Sequence, residues 1–420
     1  MMNRRKFVGI AAGAGASLAL SPQLLRALQL QLQDGKLIQR AIPSSGEMLP
    51  ALGLSFSNHP GCADHAALKE VLKAFVDGGG RVYDALHVSP ESEQFHIEAA
   101  NALGIQDKLF WSTRGNPPNA RPSAELVKPH IESLLARTKQ PKIDLAMVPV
   151  LSSAETLPVL KDEKKAGRVR YIGVQTIVVK SQAAEIETIM RNEPIDFIGV
   201  DYDVSNRVVE EKILPLAQER KIGVMVFFPF NNAAGLSCTG GTSLFSRVAG
   251  KPVPDWAAEF DAKTWSQFFT KYVLSHPAVT VVRTGTTKVA HMVDNIGGGI
   301  GRLPNEATRK RMAEFIDALP AAAPPKPPAP PPGIALPVAI LERYVGEYKA
   351  ASGFTAIFRR DGDKLFVKPG TNPEAALLAR SETRFQDPRG PFFEFQLDAQ
   401  GKVTGAILEQ GSQRMLLERK

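Results

Sequence analysis

Cysteine is nearly absent from this chain. The two present, Cys62 and Cys238 in 420 residues, are too few for a disulfide framework. They read either as two free thiols or as one bridge between loops. No long Lys/Arg run occurs and no aromatic residues interleave the basic ones. The net charge of +8 therefore reads as a solvated basic surface, which argues against nucleic acid as a partner. Beyond the first twenty residues no segment is apolar enough to span a bilayer. A G-x-G-x-x-G turn is missing after the first apolar strand, and H-E-x-x-H is missing altogether. Those absences weaken a doubly wound dinucleotide fold and leave no firm metal-ligand spacing.

What is present starts with an address. Arg4-Arg5-Lys6-Phe7 precedes a weakly hydrophobic Ala/Gly-rich run, Val8 to Leu20. A paired arginine before such a run resembles a twin-arginine export signal. Residues 1–30 are thus expected to direct export to the periplasm or beyond the cytoplasm, with Ala16-Ser17-Leu18-Ala19 as a region for cleavage. A cytoplasmic protein with a basic tail and an uncleaved membrane anchor are the alternatives. In the exported case a bond between the cysteines would be permitted.

Hydrophobic residues make up 44% of the chain and charged residues 22%, enough for a sizeable core. A hairpin is expected over Lys36–Pro50, turning at Ser44-Ser45-Gly46. Apolar runs and amphipathic helices then alternate eight times, with the eighth helix followed by a closing helix, Pro304–Leu319. The strands are continuous apolar stretches such as VMVFF and IDFIGV, as strands buried on both faces should be. Eight such units predict an α/β fold, a (β/α)8 TIM barrel over residues 36–319. Pro320–Pro332 is a semi-rigid proline-rich linker, placed at 320–333. From 334 to 420 the period changes to two, in FTAIFRR, KLFVKP, FFEFQLD and KVTGAILEQ. That pattern predicts an accessory antiparallel β domain.

The stretch Gly78–Glu93, GGGRVYDALHVSPESE, is the corner that carries chemistry in such a fold: glycines stop a helix, a short strand brings Asp84 to its end, and a polar loop follows. Polar candidates on the same face are His59, Cys62, Asp64 and His65 after the first strand and His87 after the second. Three of these histidines could in principle meet around a metal, without a spacing that requires it.

From Lys36 to Leu319 the chain resembles the aldo/keto reductase family. The resemblance is carried in order by LPALGLSF, GGGRVYDA…ESE, KLFWSTR, KIDLAMV, AGRVRYIGVQT, IDFIGVDYDV, ILPLAQERKIGVMVFFPF and LSHPAVTVVRTGTTK…DN. It implies hydride transfer from NADPH to a small carbonyl substrate, with a Tyr as general acid, a Lys that lowers its pKa, an Asp paired with the Lys, and a His that polarises the carbonyl. An unassisted phenol with a pKa near ~10 donates poorly at neutral pH, hence the helpers. In this chain the Asp position is Asp84, the Tyr position Ser89, the Lys position Arg114 and the His position Pro149. Asp84 and Arg114 are expected to pair, and His87 is a candidate surrogate acid. For the cofactor, the resemblance places Gln175 and Thr176 at the carboxamide, with Gly199 replacing a Gln there, and Phe227 against the nicotinamide. It places Gly285, Thr287, Lys288, Asp294 and Asn295 at the adenosine phosphate and adenine. Arg283 and Thr284 stand where the family has Ile-Pro.

The tail resembles a small β domain appended to some bacterial serine hydrolases, through LERYVGEYKA, KLFVKP and GKVTGAILEQGSQRMLLER. No Ser-x-x-Lys nucleophile accompanies it. The expectation is an exported, NADP(H)-dependent oxidoreductase with carbonyl reduction altered or lost. The alternative is a non-catalytic ligand-binding barrel with a docking β domain.

Overall fold

The structure is a computed structural model that describes residues 35–55, 65–86, 90–117, 120–231, 243–320, 333–350, 353–370, 372–388, 391–410 and 413–420. The chain falls into two compact units, Met1–Pro325 and Lys326–Lys420.

The first unit opens with the expected hairpin, β1 (Gln39–Ala41) against β2 (Met48–Pro50), with Gly46 at φ 78 in its turn. Eight parallel strands then close a barrel in the order β10-β3-β4-β5-β6-β7-β8-β9. They are β3 (Leu52–Ser55), β4 (Val82–Leu86), β5 (Phe110–Arg114), β6 (Ile143–Pro149), β7 (Val169–Gln175), β8 (Phe197–Asp201), β9 (Gly223–Phe227) and β10 (Val279–Gly285). Between them run α1 (His65–Asp77), α2 (Pro90–Leu103), α3 (Ala124–Thr138), α4 (Ser153–Lys165), α5 (Val179–Asn192), α6 (Ile213–Glu219), α7 (Leu244–Arg247) and α8 (Trp265–Leu274). α9 (Val289–Gly298) follows β10, and α10 (Glu306–Asp317) completes the unit.

Side chains alternate in and out along each strand. The outward set, with Tyr83, Trp111, Val148, Val174 and Val226, packs under the helices in the main core. The inward set, with Val82, Phe110, Leu145, Met147, Tyr171, Phe197, Met225, Phe227 and Val281, fills the barrel. Ile42 and Leu49 of the hairpin join that interior cluster. The hairpin is therefore a floor across the strands' N-terminal ends, fixed by Tyr171 donating to Glu47 at 2.8 Å and Ser44 donating to Asp196 at 3.1 Å. Gly173 makes the interior possible on one side, since a Cβ there would stand 2.2 Å from the Phe197 carbonyl oxygen.

The second unit is a nine-stranded antiparallel sheet that begins with a short helix, α11 (Val338–Arg343), and its first long strand β11 (Gly346–Lys349). β11 sits between β12 (Thr355–Asp361) and β19 (Gln413–Arg419). Tyr344, Tyr348, Phe358, Phe385, Phe393 and Phe395 fill its interior. Tyr344 and Phe395 stack at 4.1 Å. The interior is thus packed with aromatic rings.

Ser123 flanks α3 but its side chain makes no cap; Glu155 accepts from the Ala124 N–H at 3.0 Å instead. After β8 the chain forms a 3-10 turn, Val208–Glu210, ahead of the seven-residue α6.

Candidate active site at the barrel mouth

The C-terminal ends of β4, β5 and β10 converge on one carboxylate. Asp84 is fully buried, and a register shift after it sets β4 apart from β5. Ser112, directly across on β5, donates to its Oδ1 at 2.7 Å. Arg114 grips it end-on, Nη1 to Oδ1 at 2.9 Å and Nη2 to Oδ2 at 3.2 Å. Arg283 of β10 also donates through Nη1 to Oδ2. The expected Asp84–Arg114 pair is present, and a second arginine is added to it. Burial pulls the Arg283 guanidinium below its ordinary range, opposed by the Asp84 charge.

Phe227 is fully buried beneath this cluster. The Arg283 guanidinium carbon lies 4.2 Å from the centre of its ring and that of Arg114 5.1 Å. These are cation–π distances. The ring's other neighbour is Gly199, where a Cβ would come within 2.5 Å of it. The loss of a side chain at 199 and the position of the Phe227 ring are one packing solution. Phe227 was expected as the platform for a nicotinamide; in this structure Arg283 covers it. The next residue, Phe228, holds φ 51, a left-handed conformation that is costly for an aromatic residue, and Arg283 lies 5.9 Å from its ring.

The other expected residues divide into three groups. Gln175 and Pro149 are paired across β6 and β7 at the same rim, both half-buried. Pro149 begins the 3-10 turn Val150–Ser152 and has no N–H to give. Thr176 is buried and accepts from the Val178 N–H at 3.1 Å, so its hydroxyl shapes the entry to α5. Gly285, Thr287 and Lys288 line the turn from β10 into α9, with Gly285 and Lys288 exposed. The Lys288 N–H donates to Thr286 Oγ1 at 3.1 Å. Asp294 and Asn295 face away from that turn and into α8. Asp294 accepts from Thr264 at 2.7 Å and from Gln267 at 3.0 Å. Ser266 donates to the Asn295 side-chain oxygen at 2.5 Å. These oxygens are spent on joining two helices. Ser89, His87, His59, Cys62, Asp64 and Cys238 lie outside the described residues, as does the side chain of His65.

The phenol nearest Asp84 in sequence is Tyr83, and it points the other way. Its hydroxyl meets His96 Nδ1 on α2 at 2.5 Å, and burial holds its pKa well above the ordinary phenol range. It cannot stand in for a proton donor at the mouth. Among the described residues no group of three or more His, Cys, Asp or Glu is placed to hold a metal.

Arg283 and Ser112 are the site residues that reading the motifs left without a role. A signal for Arg283 exists: a lone arginine inside VTVVRTG, an otherwise apolar strand, needs a buried partner.

Asp294 yields a pH prediction. Burial outweighs its two hydrogen bonds and pushes its pKa from 3.8 up to about 6. A raised folded-state value means stability is fully present below pH 4 and is lost as pH rises through 6. The loss is about 3 kcal/mol at 1.36 kcal/mol per unit. Asp294→Asn keeps the acceptor for Thr264 and Gln267 and removes the charge. Urea midpoints from pH 4 to 7.5 are expected to fall more steeply for the native chain than for the variant. Parallel curves would overturn this.

Residues 52–310 match the aldo/keto reductase family. The aldo-keto reductase YhdN of Bacillus subtilis is 25% identical over 179 residues, 40% of this chain and 53% of that one. A probable aldo-keto reductase 1 of Glycine max is 27% identical over 250 residues, 52% of this chain and 67% of that one. This chain thus spans about half the length of the first relative. Among solved structures, the Bacillus halodurans aldo-keto reductase AKR11C1 in its holo form aligns with a TM-score of 0.51 at 18% identity, covering 68% of this chain and 98% of its own. An aldo-keto reductase from Klebsiella pneumoniae in complex with NADPH aligns with the same TM-score and identity, covering 69% and 99%. With the family matched across most of the barrel, the closed eight-stranded architecture and Asp84 at the end of β4, this chain belongs to the aldo/keto reductase family.

Proposed function

We propose that the barrel of this protein binds NADP(H) by its phosphate end and that the family's carbonyl reduction is altered or lost. The observation that carries the reading is the clamp on Asp84: two arginines and Ser112 occupy the carboxylate, and Pro149 stands where a polarising donor is needed.

The two ends of the cofactor fit unequally. At the phosphate end, Lys288 is exposed at the start of α9. A helix N-terminus with a lysine beside it favours a phosphate by its free N–H groups and by charge. At the nicotinamide end the fit is poor, because the face of Phe227 is covered by Arg283. When bound, NADPH supplies a hydride. This chain's residues then bind and orient, but the clamp offers no proton to a developing alkoxide: guanidinium groups do not release theirs, and the Ser112 hydroxyl hydrogen is engaged on Asp84. A second reading, a non-catalytic ligand-binding barrel with a docking β domain, draws its support from the covered Phe227.

NADPH fluorescence titration separates the two. Binding is expected, weakened about tenfold or more in Lys288→Ala by loss of one charged hydrogen bond worth about 1.5–3 kcal/mol. No binding at millimolar NADPH would sink the cofactor reading and leave the second. For localisation the reading is export through the twin-arginine segment. Exchange of Arg4 and Arg5 for lysine is expected to hold the protein in the cytoplasm, and unchanged secretion would refute it.

A further inference from the structure

We infer that the mouth of the barrel takes a carboxylate-bearing ligand, held by Arg114 and Arg283 above Asp84. The inference deepens the ligand-binding reading of the mouth and does not depend on NADP(H).

It begins with an imbalance of charge. Two guanidinium groups share one carboxylate among the described residues, which leaves a net positive charge of one. Among the described residues, two further carboxylates, Asp201 at the end of β8 and Asp203 just beyond it, are held by their own neighbours. Asp201 accepts from the Val179 N–H at 3.1 Å and from Asn206 at 2.8 Å, and Asp203 accepts from Ser205 at 2.7 Å. An unbalanced guanidinium in a low-dielectric site is costly, and an anion delivered from solvent offsets that cost.

The hydrogen-bond count agrees. Two guanidinium groups carry ten N–H donors, and three bonds to Asp84 use three of them. Arg114 is held end-on, so its Nε–H edge stays available beside the outward hydrogens of its terminal nitrogens. Neither side chain is sealed off: Arg114 retains 12% of its exposure and Arg283 8%, whereas Asp84 retains none. The cations therefore reach the opening and the anion beneath them does not.

Geometry selects the class of anion. A guanidinium fork matches a planar, two-oxygen acceptor. The half-buried Phe228 beside Arg283 gives an apolar flank that suits the organic part of such a ligand. The fork accepts carboxylate and phosphate alike, so it is the apolar flank that favours an organic acid over inorganic phosphate.

The test is calorimetric titration of the full-length protein with propionate, with propionamide as its uncharged counterpart and with inorganic phosphate. Propionate is expected to bind at least tenfold more tightly than propionamide and more tightly than phosphate. Arg283→Gln is expected to weaken propionate at least tenfold, with Arg283→Lys recovering part of the loss. Equal affinity for propionate and propionamide would overturn the inference, and that comparison needs no variant. So would preference for phosphate, or undiminished propionate binding in a folded Arg283→Gln. NADPH titrated into the same sample keeps the two proposals apart. NADPH binding without propionate binding refutes the carboxylate site alone, and the reverse refutes the cofactor reading alone.

Discussion

Asp84→Asn is expected to destabilise the barrel by about 3–5 kcal/mol, the usual cost of leaving buried charge without its partner. At about 2–4 °C per kcal/mol for a unit of this size, its melting temperature should fall by roughly 6–20 °C. The substitution keeps shape and one acceptor oxygen but strands two cations, one of them packed over the buried ring of Phe227. The opposite deletion should be mild. Arg283→Met leaves Asp84 with Arg114 and Ser112 and removes the excess charge, so the hydrogen bond lost is offset by desolvation regained. Its change is expected within about 1 kcal/mol. The asymmetry is the test: one carboxylate serves two arginines, so removing the shared partner costs far more than removing one sharer. Urea denaturation of both variants against the native chain measures it. A similar loss from both would mean that Arg283 is needed to hold the strands and is not an added cation.

The second large effect is catalytic. The family's route needs a phenol next to a cation that can lower its pKa. The resemblance to the family puts Ser89, Arg114 and Pro149 of this chain at the positions concerned. General acid catalysis is worth about 10²- to 10⁴-fold. Installing Ser89→Tyr, Arg114→Lys and Pro149→His together is expected to raise NADPH-dependent aldehyde reduction by about that factor. Adding Arg283→Ile, the family's residue, should raise it further by uncovering Phe227. Ser89→Tyr alone should gain little, because Arg114 is bound end-on to Asp84 by both terminal nitrogens. The rates come from NADPH consumption with a simple aldehyde. A single Ser89→Tyr as active as the combined variant would show that the arginine clamp does not limit the reaction.

Much of this architecture was legible in the sequence because it is local. Short apolar runs such as VMVFF, with glycines and polar turns marking their ends, read as buried strands. The β domain showed itself by its period of two. What escaped was set by distant partners. β11 is defined by pairing with β12 and with β19 at the chain's end, and Arg283 by a carboxylate 199 residues away. The Asp84–Arg114 pair could be foreseen, since each lies at the end of a neighbouring strand. Asp294 and Asn295 read as cofactor ligands from their motif, and their bonds to Thr264, Ser266 and Gln267 at the facing helix were not legible there. The setting of Phe227 was not legible either: its ring packs against Gly199 and Arg283 lies over it.

The measurement that bears most directly on the clamp around Asp84 is the turnover of the native protein with NADPH bound, as shown by fluorescence, and a simple aldehyde in excess. The expected result is a kcat at least a hundredfold below the common enzyme value of about 10 s⁻¹. A kcat in the ordinary range of about 1–10³ s⁻¹ would contradict it, since the reaction would then proceed at full speed with Asp84 held between two arginines.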